Sequence, residues 1–211
     1  MAASMACGEP GTTSINRVRG LDGPPVAEGK PVVVEATVTA SFPGDHGLDG
    51  FYLQSGQPAP GIFVYAPDID AQDAPRPGER WRVEAYTGRY RGQIQLEMLE
   101  SRRFCGAGEV HPAVLDPGSP DVHPGLRDRL VTIRGPLHVA EVYNLGRYGS
   151  LALARGGRPF HPNNGVDGGR RLDLLLDDGS YRRDPRPVPH TDPAGVRRAG
   201  DRVGDITGIL A

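Results

Sequence analysis

Five short apolar runs lie between residues 30 and 100, and each begins at or shortly after a glycine. In three of them, residues 32–40, 80–85 and 93–98, apolar and polar side chains alternate, which is the period of a strand with one buried face. Residues 50–54 and 61–65 form the other two runs. Five strands within about 70 residues suit a small Greek-key barrel of the OB type and are too few for an immunoglobulin-like sandwich.

Glycine and proline punctuate the whole chain. Thirty Gly and 21 Pro make about a quarter of the 211 residues, whereas aromatic residues are only 6%. Such a composition does not fit a helical bundle, and it suits short strands joined by tight turns. It also occurs in disordered chains. Because the Gly and Pro residues here separate regular apolar runs, we predict a folded, all-β protein.

A second region repeats the outline of the first. Its strand-like runs are residues 130–139, 151–154, 172–176 and 203–210. A turn and strand start at 199–203 echo those at 77–81, but no counterpart of the fifth run follows before Ala211.

This pattern predicts two small Greek-key OB-type barrels, the second incomplete at its C-terminal strand. The predicted domains are residues 1–105 for the first barrel and 126–211 for the second. Residues 106–125, rich in Gly, Pro, Asp and His, are predicted to be a linker.

Charge is divided unevenly between the two halves. Residues 1–125 contain ten Lys and Arg against 16 Asp and Glu, and residues 126–211 contain 14 Arg against ten acidic residues. Because the planar guanidinium suits phosphate, the second half is the better candidate to face an anion. A GC-rich coding sequence would also favour Arg over Lys, and that alternative stays open.

The two cysteines, Cys7 and Cys105, bracket the first half of the chain. Neither has a CxxC partner or a nearby His at metal-binding spacing. They are either a disulfide or two unrelated buried thiols. No stretch is apolar over the roughly 20 residues that cross a bilayer, and the first seven residues lack the features of a signal peptide.

Catalytic chemistry has little support in this sequence. The acidic residues at 68–73 and 177–178 lie in turn-forming segments and are interpreted as solvated turns. The six His have no HxxxH or HxH spacing, and no Ser lies in a G-x-S-x-G elbow. We therefore expect no catalytic residue and no metal site in this chain.

Nucleic-acid binding has better support, because aromatic and basic residues alternate at several places. Aromatic rings stack on bases while basic side chains follow phosphates. If the apolar residues of 81–85 face the core, their neighbours face outward. The candidates are Arg80, Arg82, Tyr86, Arg89, Tyr90 and Arg91 in the first half, with Phe63 and Tyr65 on another strand, and Tyr143, Arg147 and Tyr148 in the second half. The structural alternative is that these tyrosines cap a small barrel and the arginines lie on a solvated face.

The order of these motifs resembles a known family. Val34-Glu35-Ala36-Thr37-Val38-Thr39-Ala40, Gly50-Phe51-Tyr52-Leu53-Gln54, Gly61-Ile62-Phe63-Val64-Tyr65 and Pro77-Gly78-Glu79-Arg80-Trp81-Arg82-Val83 resemble the OB-like domain near the N-terminus of secreted bacterial nucleases. These are the ExeM and NucH type, with a related domain in YhcR. Residues 131–137, 141–149 and 174–180 are similar to the segment that follows this domain in the same nucleases.

The resemblance implies an exported, non-catalytic accessory region of a DNA-degrading enzyme. The family's catalytic domain, of the endonuclease/exonuclease/phosphatase type, would lie downstream and use a divalent metal, Mg or Ca. It also implies a disulfide between Cys7 and Cys105 and an extracellular or periplasmic location. The expected partners are single-stranded DNA and the catalytic domain of the same polypeptide. The alternative function is a structural or protein-docking module that positions the catalytic domain without touching DNA.

Overall fold

The structure is a computed structural model that describes residues 6–44, 46–56, 60–116, 124–155 and 174–211. Strands dominate it, so the all-β prediction is confirmed. The described residues form two compact units. The first contains the described residues up to Ala113 together with 124–131 and 207–211, and the second contains 114–116, 132–155 and 174–206.

Five strands of the first unit close into a ring. Their order around it is β1-β2-β3-β5-β4, and β1 also pairs with β4. All neighbours are antiparallel except β3 and β5, which run parallel where Val64 lies beside Leu96. The strands are β1 (Pro31–Phe42), β2 (Gly50–Gln54), β3 (Gly61–Tyr65), β4 (Glu79–Tyr90) and β5 (Gln93–Ala107).

Alternation along each strand builds the core inside the ring. Most apolar positions of the alternating runs line this core, with Trp81 and Ile94 packed against it as partly buried side chains, whereas Met98 is exposed. Phe51 on β2 is buried in the same core. The fully or nearly fully buried members predicted from the alternation are Val32, Val34, Val38, Val83 and Leu96.

A short helix that the sequence analysis did not predict completes this core. Helix α1 (Ile15–Arg19) buries Ile15 and Val18 in the same cluster. Ser14 Oγ caps the helix by accepting a hydrogen bond from Arg17 N at 3.1 Å. Gly20 ends it with a φ of 75°, a left-handed conformation that favours glycine.

A disulfide joins Cys7 to Cys105, with 5.6 Å between the two Cα atoms, as the family resemblance implied. It ties the N-terminal segment to the end of β5. Thr13 N donates to Val33 O at 2.7 Å, so the segment also bonds to β1 through its backbone.

The second half contains two open sheets among the described residues. One has the order β10-β9-β8-β11 and the other the order β12-β7-β6. Its apolar cluster is built on Leu137, Val139, Leu151 and Leu153. The elements are β6 (Ala113–Leu115), a 3-10 turn (Pro124–Leu126), β7 (Arg129–Ile133), β8 (Leu137–Glu141), α2 (Leu145–Tyr148), β9 (Leu151–Arg155), β10 (Leu174–Leu176), β11 (Arg202–Val203) and β12 (Ile206–Leu210).

The predicted linker, residues 106–125, contains the end of β5, strand β6 and the start of the 3-10 turn. Its residues 117–123 lie outside the described residues, as do residues 172–173 of the predicted strand at 172–176.

Candidate nucleic-acid interface

The β4–β5 hairpin presents a basic and aromatic tip. Tyr90 pairs with Gln93 across a two-residue loop, and both loop residues, Arg91 (φ 47°) and Gly92 (φ 85°), have positive φ. Positive φ at both positions is the geometry of a type I′ turn, which matches the twist of the flanking strands. The tip is therefore a tight, well-defined turn with exposed side chains.

Two arginines at this tip are differently engaged. Arg89 Nε donates to Glu28 Oε1 at 2.8 Å, and its Nη1 donates to Gly92 O at 2.9 Å. Both side chains of the Arg89–Glu28 pair are exposed, and exposed pairs contribute little stability, so a phosphate can compete for Arg89. The Arg91 guanidinium lies 5.4 Å from the centre of the Tyr90 ring and keeps its donors in solvent.

The outer face of β4 is less available than predicted. Arg82 does point away from the ring interior, but it is fully buried, so the prediction that it faces solvent is wrong. The N-terminal segment covers it: Arg82 Nη1 donates to Glu9 O and to Glu35 Oε2, both at 3.0 Å, and Nη2 donates to Pro10 O at 3.4 Å. A buried guanidinium with these partners cannot reach a ligand.

The other two β4 candidates lie beside carboxylates. Arg80 is exposed and bonds to Glu35 Oε1. Tyr86 is half-buried, and the Glu100 carboxylate, by its charge and by accepting a hydrogen bond, raises the pKa of the Tyr86 phenol above its ordinary value. These carboxylates oppose a phosphate at this face.

Glu35 is the buried centre of the ion cluster on β1 and β4. Burial alone would raise its pKa, but the Gly8 N–H at 2.9 Å and the guanidinium groups of Arg82 and Arg80 hold the pKa of Glu35 below its ordinary value of 4.5. The carboxylate is therefore charged in the folded protein near neutral pH.

Replacing Glu35 with Gln should lower the free energy of unfolding at pH 7 by about 1.5–3 kcal/mol, because hydrogen bonds to a charged acceptor are lost beside buried Arg82. A depressed folded-state pKa means that the contribution of Glu35 is present above pH 4.5 and is lost as pH falls through the folded pKa. Denaturant unfolding at pH 7 and at about pH 3 should show the larger difference between wild type and E35Q at pH 7. Glu9→Gln, on an exposed neighbour, is the matched control; an equal loss at both pH values contradicts the assignment.

An aromatic cluster covers the outer face of β2 and β3. The rings of Tyr52 and Phe63 lie 4.9 Å apart, and Phe42 meets Tyr52 edge-on at 6.2 Å. Ile62 and Val64 are fully buried and point into the ring. Phe63 and Tyr65 alternate with them along β3 and therefore point outward, and Tyr65 is exposed there.

Gly50 allows the Phe63 ring to lie close to the sheet. A Cβ at Gly50 would stand 2.6 Å from Phe63 Cζ, so a larger residue would displace the ring. Phe63 is half-buried and Tyr52 is buried, whereas Tyr65 is 38% exposed and offers part of its ring for stacking.

The second unit brings two of its three candidates together. The Arg147 guanidinium lies 5.2 Å from the centre of the Tyr148 ring on α2, and Tyr143 is highly exposed before that helix. The aromatic neighbours Phe42 and Tyr52 were not among the predicted candidates. Tyr52 could have been added as a candidate, because pairing residues 50–54 with 61–65 as a hairpin in the observed register places it opposite Phe63.

The described residues contain no group of three or more His, Cys, Asp or Glu side chains arranged to hold a metal ion. Within the same residues, no helix is long and apolar enough to cross a membrane. Comparison with known protein families, with curated proteins and with solved structures finds no match for this chain.

Proposed function

We propose that this chain is a non-catalytic, nucleic-acid-binding region of an exported DNA-degrading nuclease. One observation carries the proposal: an aromatic outer face on β2 and β3 belongs to the same five-stranded ring as a hairpin tip bearing Arg89, Tyr90 and Arg91. In OB-type barrels, oligonucleotides contact the face of the second and third strands and the loop between the fourth and fifth.

The strand arrangement supports an OB-type barrel. Five strands in the order β1-β2-β3-β5-β4, closed by a β1–β4 pair, need a crossover between β3 and β4, which makes the path a Greek key rather than a meander. The disulfide supports export, because such bonds persist in oxidising compartments. The resemblance to secreted nucleases supplies the rest, including a separate catalytic domain that would hold its own Mg or Ca ion.

The stacking and charge of the proposed site fit a single strand. Tyr65 offers an exposed ring, and base–ring stacking contributes about 1–3 kcal/mol per base. Arg91 and Arg89 supply donors for phosphate oxygens at the tip, since Arg91 has no carboxylate partner among the described residues and Arg89 has only an exposed one.

The double variant Arg89→Ala/Arg91→Ala should weaken binding of a fluorescent single-stranded oligonucleotide roughly tenfold at low salt, because two phosphate contacts are lost. Fluorescence anisotropy measures this directly. The matched control is Arg76→Ala/Arg103→Ala, which removes the same charge from exposed positions away from the tip. Equal losses in the two double variants, or no binding by the wild-type chain, would overturn the proposal.

The second candidate function is a structural or protein-docking module. The ion pairs favour it, because Arg80 and Arg82 share Glu35 and Arg89 pairs with Glu28. Binding of an isolated catalytic domain without any binding of DNA would decide for this function.

A further inference from the structure

The chain segment that follows β10 returns to the end of helix α2. Asp184 N donates to Arg147 O at 2.9 Å, so the two stretches of backbone are bonded directly. A Cβ at Gly149 would stand 2.2 Å from Asp178 Oδ2, so the start of the segment lies against the end of the helix at a position that requires glycine. Residues 178–184 are therefore packed beside α2.

Local hydrogen bonds hold this segment in a defined conformation. Gly179 N donates to Asp177 Oδ1 at 2.9 Å, and Ser180 N donates to Asp178 Oδ1 at 3.0 Å. Pro185 is buried, which anchors the far end. Side chains on a segment already ordered lose less conformational entropy when a ligand binds.

The packing of residues 178–184 beside α2 adds a second set of aromatic and basic residues to the set on and before the helix. We define the arginine–tyrosine surface as Tyr143, Arg147 and Tyr148 together with Tyr181, Arg182 and Arg183. Tyr143 is 84% exposed and Tyr181 is 66% exposed, so their rings offer free stacking area. The sequence pattern alone contained only the first three of these residues.

Within the described part of the chain, the arginines of this surface have no carboxylate partners, whereas Arg80, Arg82 and Arg89 on the ring are all paired with glutamates. Arg147, Arg182 and Arg183 are exposed, and none of them forms an ion pair with any carboxylate of the described residues. Residues 143–148 and 178–184 contain two carboxylates, Asp178 and Asp184, and Asp178 already accepts from Ser180 N. Three free guanidinium groups therefore outweigh the acidic side chains beside them.

We propose that the arginine–tyrosine surface is a binding site for a single-stranded polynucleotide, separate from the site on the ring. Its arginines contact phosphate oxygens, and Tyr143 and Tyr181 stack on bases. The inference rests on the proposed nucleic-acid-binding function and adds a site on the second unit to it. Exposed tyrosines beside the arginines favour a polynucleotide over a purely anionic polymer, which offers no ring to stack.

The test uses the full chain, fluorescence anisotropy and a labelled single-stranded oligonucleotide, with heparin as an anionic competitor that has no bases. Arg182→Glu/Arg183→Glu should weaken oligonucleotide binding more than tenfold and flatten the salt dependence by about 0.7 per lost phosphate contact. The matched control, Arg198→Glu/Arg202→Glu, makes the same charge change near β11, at the opposite edge of the sheet from β10. It should weaken binding less than threefold.

The variant Tyr143→Ala/Tyr181→Ala distinguishes base stacking from electrostatic attraction as the source of binding. It should weaken oligonucleotide binding at least fivefold and leave heparin binding unchanged, because only bases stack. All these side chains are exposed, and thermal unfolding should match the wild type in every variant.

The results distinguish failure of the proposed function from failure of this site. If the wild-type chain binds no oligonucleotide, both fall. If it binds and the Arg182/Arg183 variant behaves like its control, or if the Tyr143/Tyr181 variant loses heparin and oligonucleotide equally, the arginine–tyrosine surface is not a polynucleotide site. A strong loss here together with no loss in Arg89→Ala/Arg91→Ala upholds this site and overturns the site on the ring.

Discussion

The variant Cys7→Ser/Cys105→Ser should unfold with a free energy about 4–5 kcal/mol below that of the oxidised protein. The disulfide joins residues 98 positions apart and so closes a loop that spans the whole ring of strands. In the chain-entropy model, opening so long a loop restores a large number of conformations to the unfolded chain. The loss is therefore expected from the unfolded chain alone.

Removing the disulfide also releases one attachment of the N-terminal segment that buries Arg82. Glu9 O and Pro10 O, which accept hydrogen bonds from its guanidinium, stand within three residues of Cys7. The Gly8 N–H that bonds to Glu35 lies next to the same cysteine. Fraying of this segment would expose a buried ion pair and add to the loss.

Denaturant unfolding in the presence and absence of a thiol reductant measures the effect. Wild type should lose stability on reduction until it matches the serine variant, and the serine variant should not respond to the reductant. Coincident unfolding curves of oxidised wild type and the variant would show that the loop closure contributes nothing.

The ring was predictable because its signal is periodic and local. The alternation at residues 32–40 recurs as β1, and those at 80–85 and 93–98 recur within β4 and β5. Inward positions follow from a period of two, which is why Val34, Val83 and Leu96 were placed correctly.

The segments that cover the outer face of the ring could not be predicted from such a periodic pattern. The alternation correctly turns Arg82 out of the ring, but the segment that buries it, residues 6–13, has no periodic pattern of its own. Helix α1 is five residues long and carries two buried side chains, too few for a helical period to be recognised. The same holds for residues 178–184, whose place beside α2 depends on tertiary contacts alone.

The buried ion pair between Arg19 and Asp128 could not be predicted either, because the partners are 109 positions apart in the sequence. Arg19 Nη1 donates to Asp128 Oδ2 at 2.9 Å, to Arg127 O at 2.8 Å and to Gly61 O at 2.7 Å. The side chains are only 9% and 4% exposed. Gly61 is required here, since a Cβ would stand 1.6 Å from Asp128 O. One guanidinium thus joins α1, the start of β3 and residues 127–128 within the first unit.

Replacing Arg19 with Met should lower the free energy of unfolding at pH 7 by about 3–5 kcal/mol, because it leaves the Asp128 carboxylate buried and unpaired. Met keeps a similar length and helix propensity, so the change removes the charge and its hydrogen bonds while keeping most of the side-chain volume. The double variant Arg19→Met/Asp128→Asn should recover part of the loss, since an amide has no charge to desolvate and Asn adopts the positive φ of 60° at this position. Arg17→Met, on the exposed side of the same helix, should change the free energy of unfolding by less than about 1 kcal/mol.

The pH dependence separates the ion pair from simple packing. Burial raises the pKa of Asp128 above its ordinary value of 3.8, although the Arg19 guanidinium lowers it in part. Between 3.8 and the raised pKa the folded protein binds more protons than the unfolded chain, so this group makes stability fall as pH rises through that window. Without Arg19 the pKa of Asp128 rises further and the window extends upward.

The loss of unfolding free energy caused by Arg19→Met should therefore be smallest in acid and grow toward pH 7. In the Asp128→Asn background this loss should no longer vary with pH. A loss that is independent of pH in both backgrounds would mean that Arg19 acts only through packing and its carbonyl partners.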